Sequence, residues 1–136
     1  EMDKRLLHVT SILGIQELLS AYPPEISVGQ KQRVAAARAL ITNPKIIFAD
    51  EPTGSLDSKS ATELLKYLAE INLHDDATIL MVTHDPYTAS FCNRILFIKD
   101  GAIFSEVVRQ GSRKEFFNRV IDMQATIGGG GRANDF

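Results

Sequence analysis

The chain has 136 residues, 44% of them hydrophobic, with 15 basic against 17 acidic side chains and one cysteine. These totals describe one globular domain or a piece of a larger one, and they argue against nucleic-acid recognition through a basic face, an internal disulfide or a cysteine-based zinc site. No apolar run approaches the roughly 18 residues of a membrane span, and Glu1-Met2-Asp3-Lys4-Arg5 lacks a signal-peptide core, so a soluble, non-secreted chain is expected.

Leu6, Leu7, Val9, Ile12, Leu13, Ile15, Leu18 and Leu19 recur at helical spacing, which predicts an amphipathic helix over 3–20 with Gly14 as its point of breakage. Tyr22-Pro23-Pro24 ends it, because proline has no amide to donate. His8 reads as a surface or packing histidine. Ser27 followed by Gln30 is a capping box, so the next helix is expected to begin at Ser27 and to run through Val34-Ala35-Ala36-Ala37-Arg38-Ala39-Leu40 to a stop at Asn43-Pro44. Its start presents unpaired amides, and Gly29 allows a close backbone approach, which suits an anion such as phosphate. An isolated Ser-x-x-Gln more often marks a capped helix that binds nothing.

The central stretch is Lys45-Ile46-Ile47-Phe48-Ala49-Asp50-Glu51-Pro52. Its unbroken apolar run predicts a strand buried on both faces, hence a parallel sheet, with Asp50 and Glu51 at the carboxyl end where such sheets bind ligands. A lone Asp-Glu there caps a turn about as often as it forms a site. Ser55-Leu56-Asp57 leads into a helix with Leu64, Leu65, Leu68 and Ile71 on one face, its start supported by Ser60 and Glu63 and its end expected near Asn72. Ala77 to Thr83 reads as a second buried strand, followed at once by His84-Asp85. Strand, helix and strand make a βαβ unit with parallel strands, so His84 is expected to leave the sheet at the same edge as Asp50 and Glu51. Neighbouring strands lie about 4.8 Å apart, within side-chain reach.

Asp85-Pro86 opens a short helix expected to run through Phe91 and Cys92, the latter a small buried hydrophobe. Asp100-Gly101 between Arg94–Lys99 and Ala102–Val108 is a hairpin signal, expected to add antiparallel strands to the sheet. Ser112 to Glu115 is another capping box, opening a helix whose Phe116, Phe117, Val120, Ile121 and Met123 form a docking stripe. Gly128 to Gly131 and the polar end beyond them suggest a flexible tail.

Ile26-Ser27-Val28-Gly29-Gln30, then Ile46 to Glu51, then Ser55-Leu56-Asp57, then His84 resemble, in order, the signature motif, Walker B motif, D-loop and H-loop of the ATP-binding subunits of ABC transporters. The resemblance covers about residues 1–110. It implies an α/β fold, a P-loop NTPase-like partial domain with a mainly parallel sheet flanked by helices. Residues 1–43 would be the end of the helical subdomain and the signature helix, 44–110 the ATPase core, and 111–136 the carboxyl-terminal helix and tail.

The family's signature usually reads Leu-Ser-Gly-Gly-Gln, and this chain has Ile26 and Val28 at the first and third positions. No glycine is followed by Lys-Ser or Lys-Thr, so no P-loop is present. The chain therefore resembles the carboxyl-terminal half of such a subunit, inactive alone. The stretch Val108 to Phe117 is similar to exporters of the bacitracin and antimicrobial-peptide type.

The resemblance further implies ATP and Mg²⁺ as cofactors. Asp50 would hold the metal through water, Glu51 would activate the attacking water and His84 would contact the γ-phosphate. Ser27, Gly29 and Gln30 would bind nucleotide held by a second ATP-binding subunit, with Asp57 at that interface. A separate membrane permease would be driven from the cytoplasmic face, with neither nucleic acid nor a membrane span of the chain's own involved. Two other readings are a non-catalytic binding module and a non-transport ABC ATPase.

Overall fold

The computed structural model describes residues 2–22 and 27–132, and its chain divides into two compact units, Glu1–Val82 and Thr83–Phe136. In the first unit α1 (Met2–Ile12) ends two residues before Gly14, whose φ is 66°, and a short 3₁₀ turn, Gln16–Leu18, follows. The helix expected over 3–20 is thus two pieces, broken where a residue without Cβ can take a left-handed conformation. The prolines at 23 and 24, and Glu25 and Ile26 after them, lie outside the described residues. α2 (Val28–Ile41) carries the expected cap: the Gln30 amide donates to Ser27 Oγ at 3.1 Å, and the Ser27 amide donates to Gln30 Oε1 at 2.9 Å. Arg5 Nη1 donates to the Ile41 carbonyl at 3.2 Å, satisfying one acceptor at the carboxyl end of α2.

β1 (Ile46–Asp50) pairs in parallel with β2 (Thr78–Val82), joined through α3 (Ser58–His74). The pairing aligns Ile46 with Thr78 and Asp50 with Val82, so the two strands end level. Asp57 caps α3, its carboxylate accepting from the Ser60 amide at 3.0 Å. An ionised carboxylate at the amino end of a helix meets both the open amides and the positive end of the dipole. The helix also continues to His74, past Asn72, whose Nδ2 donates to the Ala77 carbonyl at 2.8 Å and braces the turn into β2.

The core of this unit joins Val9, Ile12 and Leu13 of the amino-terminal segment to Ala37 and Leu40 of α2, Ile47 of β1, and Leu64 and Leu68 of α3, with Ala49, Ile79 and Met81 packed against it. His8 packs edge-on to Tyr67, ring centroids 5.2 Å apart. The expectation of strands buried on both faces is corrected here. Ile46, Phe48, Leu80 and Val82 are 59%, 76%, 58% and 60% exposed. The helices of the unit contact one face of the two-stranded sheet, and alternation along the strands puts these four side chains on the other.

In the second unit Asp85 caps α4 (Pro86–Ala89), its carboxylate accepting from the amides of Tyr87 and Thr88, each at 3.2 Å, and from the Thr88 hydroxyl at 2.7 Å. α4 is shorter than expected, because the amides of Phe91 and Cys92 turn back to the carbonyls three residues earlier and tighten the chain into a turn. β3 (Arg94–Lys99) and β4 (Ala102–Val108) form the expected antiparallel hairpin, with Asp100 and Gly101 at φ 52° and 76°. Positive φ at both central residues is what a two-residue turn matched to strand twist demands. The hairpin does not extend the β1–β2 sheet; it is a separate two-stranded sheet, its pairing completed locally by its own turn.

α5 (Arg113–Arg132) starts at a Ser112–Glu115 capping box and lays Phe116 and Val120 into a core with Ala89, Phe97 and Val107. It continues through Gly128 to Gly131, where a flexible tail was expected, although glycine is a poor helix former. Lys99 Nζ donates to the Ile127 carbonyl at 3.4 Å near this end. Residues 133–136 lie outside the described residues.

Candidate functional site

The carboxyl end of β1 is where the first unit departs from regular structure. The Glu51 amide donates to the Val82 carbonyl at 2.8 Å, which carries the parallel pairing one residue beyond Asp50. Glu51 has φ 45°, a left-handed conformation that costs a residue with a Cβ on the order of 1 kcal/mol. The chain then turns at once, the Gly54 amide donating to the Glu51 carbonyl at 3.2 Å and the Leu56 amide to the Thr53 carbonyl at 3.1 Å. Asp50, exposed, and Glu51, half-buried, therefore stand on a sharp corner between strand and turn.

Asp50 and Glu51 line an open cleft of about 660 Å³ together with the apolar Leu13, Ala36 and Leu40 and with Pro52, Gly54, Ser55 and Arg33. Arg33 was not among the residues singled out from sequence. Its Nε is buried and has no hydrogen-bond partner among the described residues, and its guanidinium lies beside Gly14 and Gly29. The available signal was spacing, since Arg33 follows Gly29 by four residues and so shares its helix face. A Cβ on Gly29 would meet Arg33 Nη2 at 3.8 Å, an ordinary contact, so the interior of the unit does not itself demand glycine there.

Ser27 is exposed with extended backbone, φ −70° and ψ 166°. Its hydroxyl accepts one amide and keeps a proton to donate, and the Gln30 amide nitrogen is likewise left free of the box. Val28 begins α2, and its side chain lies outside what is described. Asp57 is exposed too; hydrogen bonds from the Ser60 hydroxyl and amide hold its carboxyl below the ordinary 3.8, with the charge of Arg33 adding in the same direction. Among the described residues no three His, Cys, Asp or Glu side chains gather into a metal cage. A single exposed carboxylate such as Asp50 is nonetheless a donor that suits Mg²⁺, which keeps most of its water and takes phosphate oxygens.

Asp50, Glu51, Asp57, Ser27, Gly29 and Gln30 all belong to the first unit, and the cleft gathers Asp50 and Glu51. His84 belongs to the second unit. There its carbonyl accepts from Gln124 Nε2 of α5 at 3.3 Å, and the Asp85 amide beside it donates to Thr83 Oγ1 at 3.1 Å.

The profile of the ABC transporter family matches residues 1–54. The chain is 52% identical over 128 residues to the bacitracin export ATP-binding protein BceA of Halalkalibacterium halodurans, an overlap of 93% of this chain and 51% of that protein. The chain belongs to the ABC transporter family of ATP-binding domains.

A second relative within that family, the ABC transporter ATP-binding protein YvcR of Bacillus subtilis, is 50% identical over 129 residues, 95% of this chain and 50% of its own length. The fold agrees as well. The dimeric, post-hydrolysis structure of the ATP-binding cassette MJ0796 bound to ADP and phosphate superposes with a TM-score of 0.70 at 41% identity, over 80% of this chain and 47% of that one. The chain spans about half the length of the curated relatives it matches. No helix among the described residues is long and apolar enough to cross a membrane.

Proposed function

We propose that this ABC domain segment belongs to a subunit that hydrolyses ATP to drive export by a separate membrane permease, docked at the cytoplasmic face of the membrane. The observation that carries the reading is the corner at Asp50 and Glu51. Two carboxylates stand at the level ends of parallel strands, one of them held in a left-handed conformation above a cleft. Phosphoryl transfer asks a protein mainly for positioning and charge neutralisation. Glu51 would orient the attacking water and take its proton. Asp50 would hold Mg²⁺ through water, and the metal when bound would neutralise charge on the phosphates. His84 would meet the γ-phosphate. Ser27, Gly29 and Gln30 would meet the nucleotide of a second ATP-binding subunit from the capped start of α2, and Asp57 would lie at that interface.

The similarity to BceA favours a peptide antibiotic of the bacitracin kind as the exported class. Alone, the 136-residue chain would not turn over ATP, since none of its glycines is followed by Lys-Ser or Lys-Thr to cradle the phosphates. The test is Glu51→Gln in the complete subunit. Turnover is expected to fall by about 10²–10⁴-fold while ATP binding persists; full turnover in that variant removes Glu51 as the base.

A further inference from the structure

We propose that Gln124 is a positioning residue for His84, so that α5 sets the loop from which the histidine would reach the γ-phosphate. The proposal rests on the reading of His84 given above and adds to it a residue 40 positions later, on α5, outside the motifs named above. Phe116 and Val120 are buried, and Gln124 follows them at intervals of four, on the same face of α5. An apolar residue is what that stripe calls for at position 124. Instead an amide stands there, half-buried, and its Nε2 donates to the His84 carbonyl at 3.3 Å.

The other side of the loop is already fixed. Asp85 caps α4 through three hydrogen bonds, and its amide donates to Thr83 Oγ1, so the residues flanking His84 have little freedom to follow a displaced histidine. α5 is anchored against α4 independently of Gln124. The Arg113 guanidinium stacks on Phe91 and Tyr87 at 4.4 and 5.1 Å from their ring centroids, and its Nη1 donates to the buried Ser90 Oγ at 3.2 Å. Loss of the Gln124 amide should therefore remove one restraint on the His84 peptide without releasing the helix. A bond that served only to pin α5 would be redundant with these contacts.

The test uses Gln124→Met, which keeps length and packing but cannot donate, beside Gln124→Glu, which cannot donate when ionised. In the 136-residue chain, nuclear magnetic resonance should show shifted His84 and Asp85 amide signals, with Phe116 and Val120 unmoved. In the complete subunit, kcat should fall by about tenfold with KM for ATP unchanged, the pattern of a misplaced group rather than of lost binding. Unmoved His84 and Asp85 signals overturn the proposal. So does a displaced loop with full turnover, and His84→Ala then separates the two failures. If His84→Ala is also fully active, the reading of His84 has fallen; if it is inactive, only the role of Gln124 has.

Discussion

The two small sheets reach pairing by opposite routes. β3 and β4 are adjacent in sequence, and a two-residue turn with both φ values positive closes them without help from elsewhere. β1 and β2 are separated by the whole of α3, and their parallel ladder depends on that helix lying against Ile47, Ala49, Ile79 and Met81. Each sheet turns one face to a core and leaves apolar side chains on the other: Ile46, Phe48, Leu80 and Val82 in the first, Leu96, Ile98, Ile103 and Val108 in the second. The hairpin also carries an Arg94–Glu106 ion pair on that outer face, between partly exposed side chains. What the contrast teaches is that pairing and burial are separate problems. Local chemistry decides the hairpin's pairing, non-local packing decides the parallel one, and neither decides what covers the second face.

The largest expected effect falls on the packed face of the hairpin. Phe116 is fully buried beside Phe97 and Val107, so Phe116→Ala should destabilise the second unit by about 3–5 kcal/mol, through lost burial and the cavity left behind. Urea unfolding followed at probes in α5 and β4 measures it; a change under about 1 kcal/mol would mean that α5 does not hold the hairpin.

Next comes a pair of neighbours on one strand. Ile47 is buried and Phe48 is 76% exposed. Ile47→Ala should therefore cost about 2–5 kcal/mol, and Phe48→Ala should stay within roughly 0.5 kcal/mol in the same chain. Comparable losses at both positions would show that the outer face of β1 is covered in solution, and would break the contrast between the two faces.

These neighbours also show where sequence reasoning stops. The run from Ile46 to Ala49 announces a strand, the spacing to the next apolar run announces a parallel partner, and both are found. The run was read as buried on both sides because apolar side chains ask for cover, yet a request for cover does not supply it. Capping boxes at Ser27 and Ser112 and the turn at Asp100-Gly101 were legible for a different reason: each is complete within four residues. Asp57 does lead into α3, as its place before the apolar stripe implies, but that its carboxylate takes the Ser60 amide is shown only by the structure. At the site, Asp50 and Glu51 were legible as a pair at a strand end. The left-handed backbone of Glu51 was not, nor was Arg33 beside Gly29 or the bond from Gln124, because each depends on elements meeting or on a turn closing.

The smallest expected effect bears on that same cap. Asp57→Ala should lower the melting temperature of the first unit measurably, by less than Ile47→Ala, because it removes the acceptor for the Ser60 amide. Asp57→Asn keeps an acceptor and removes only the charge, so at pH 7 it should lie between wild type and Asp57→Ala. The gap between wild type and Asp57→Asn then closes with acid. The folded carboxyl lies below its ordinary 3.8 because Ser60 bonds favour the ionised form, so folding is favoured by this group above pH 3.8 and the contribution is lost as pH falls through the lower folded value. Wild-type chain should therefore lose stability relative to Asp57→Asn below pH 3.8, and thermal melts at steps from pH 6 to pH 2 would resolve it. Parallel curves for the two proteins would mean that the cap works through geometry alone, and that a neutral oxygen at the start of α3 serves as well as a charged one.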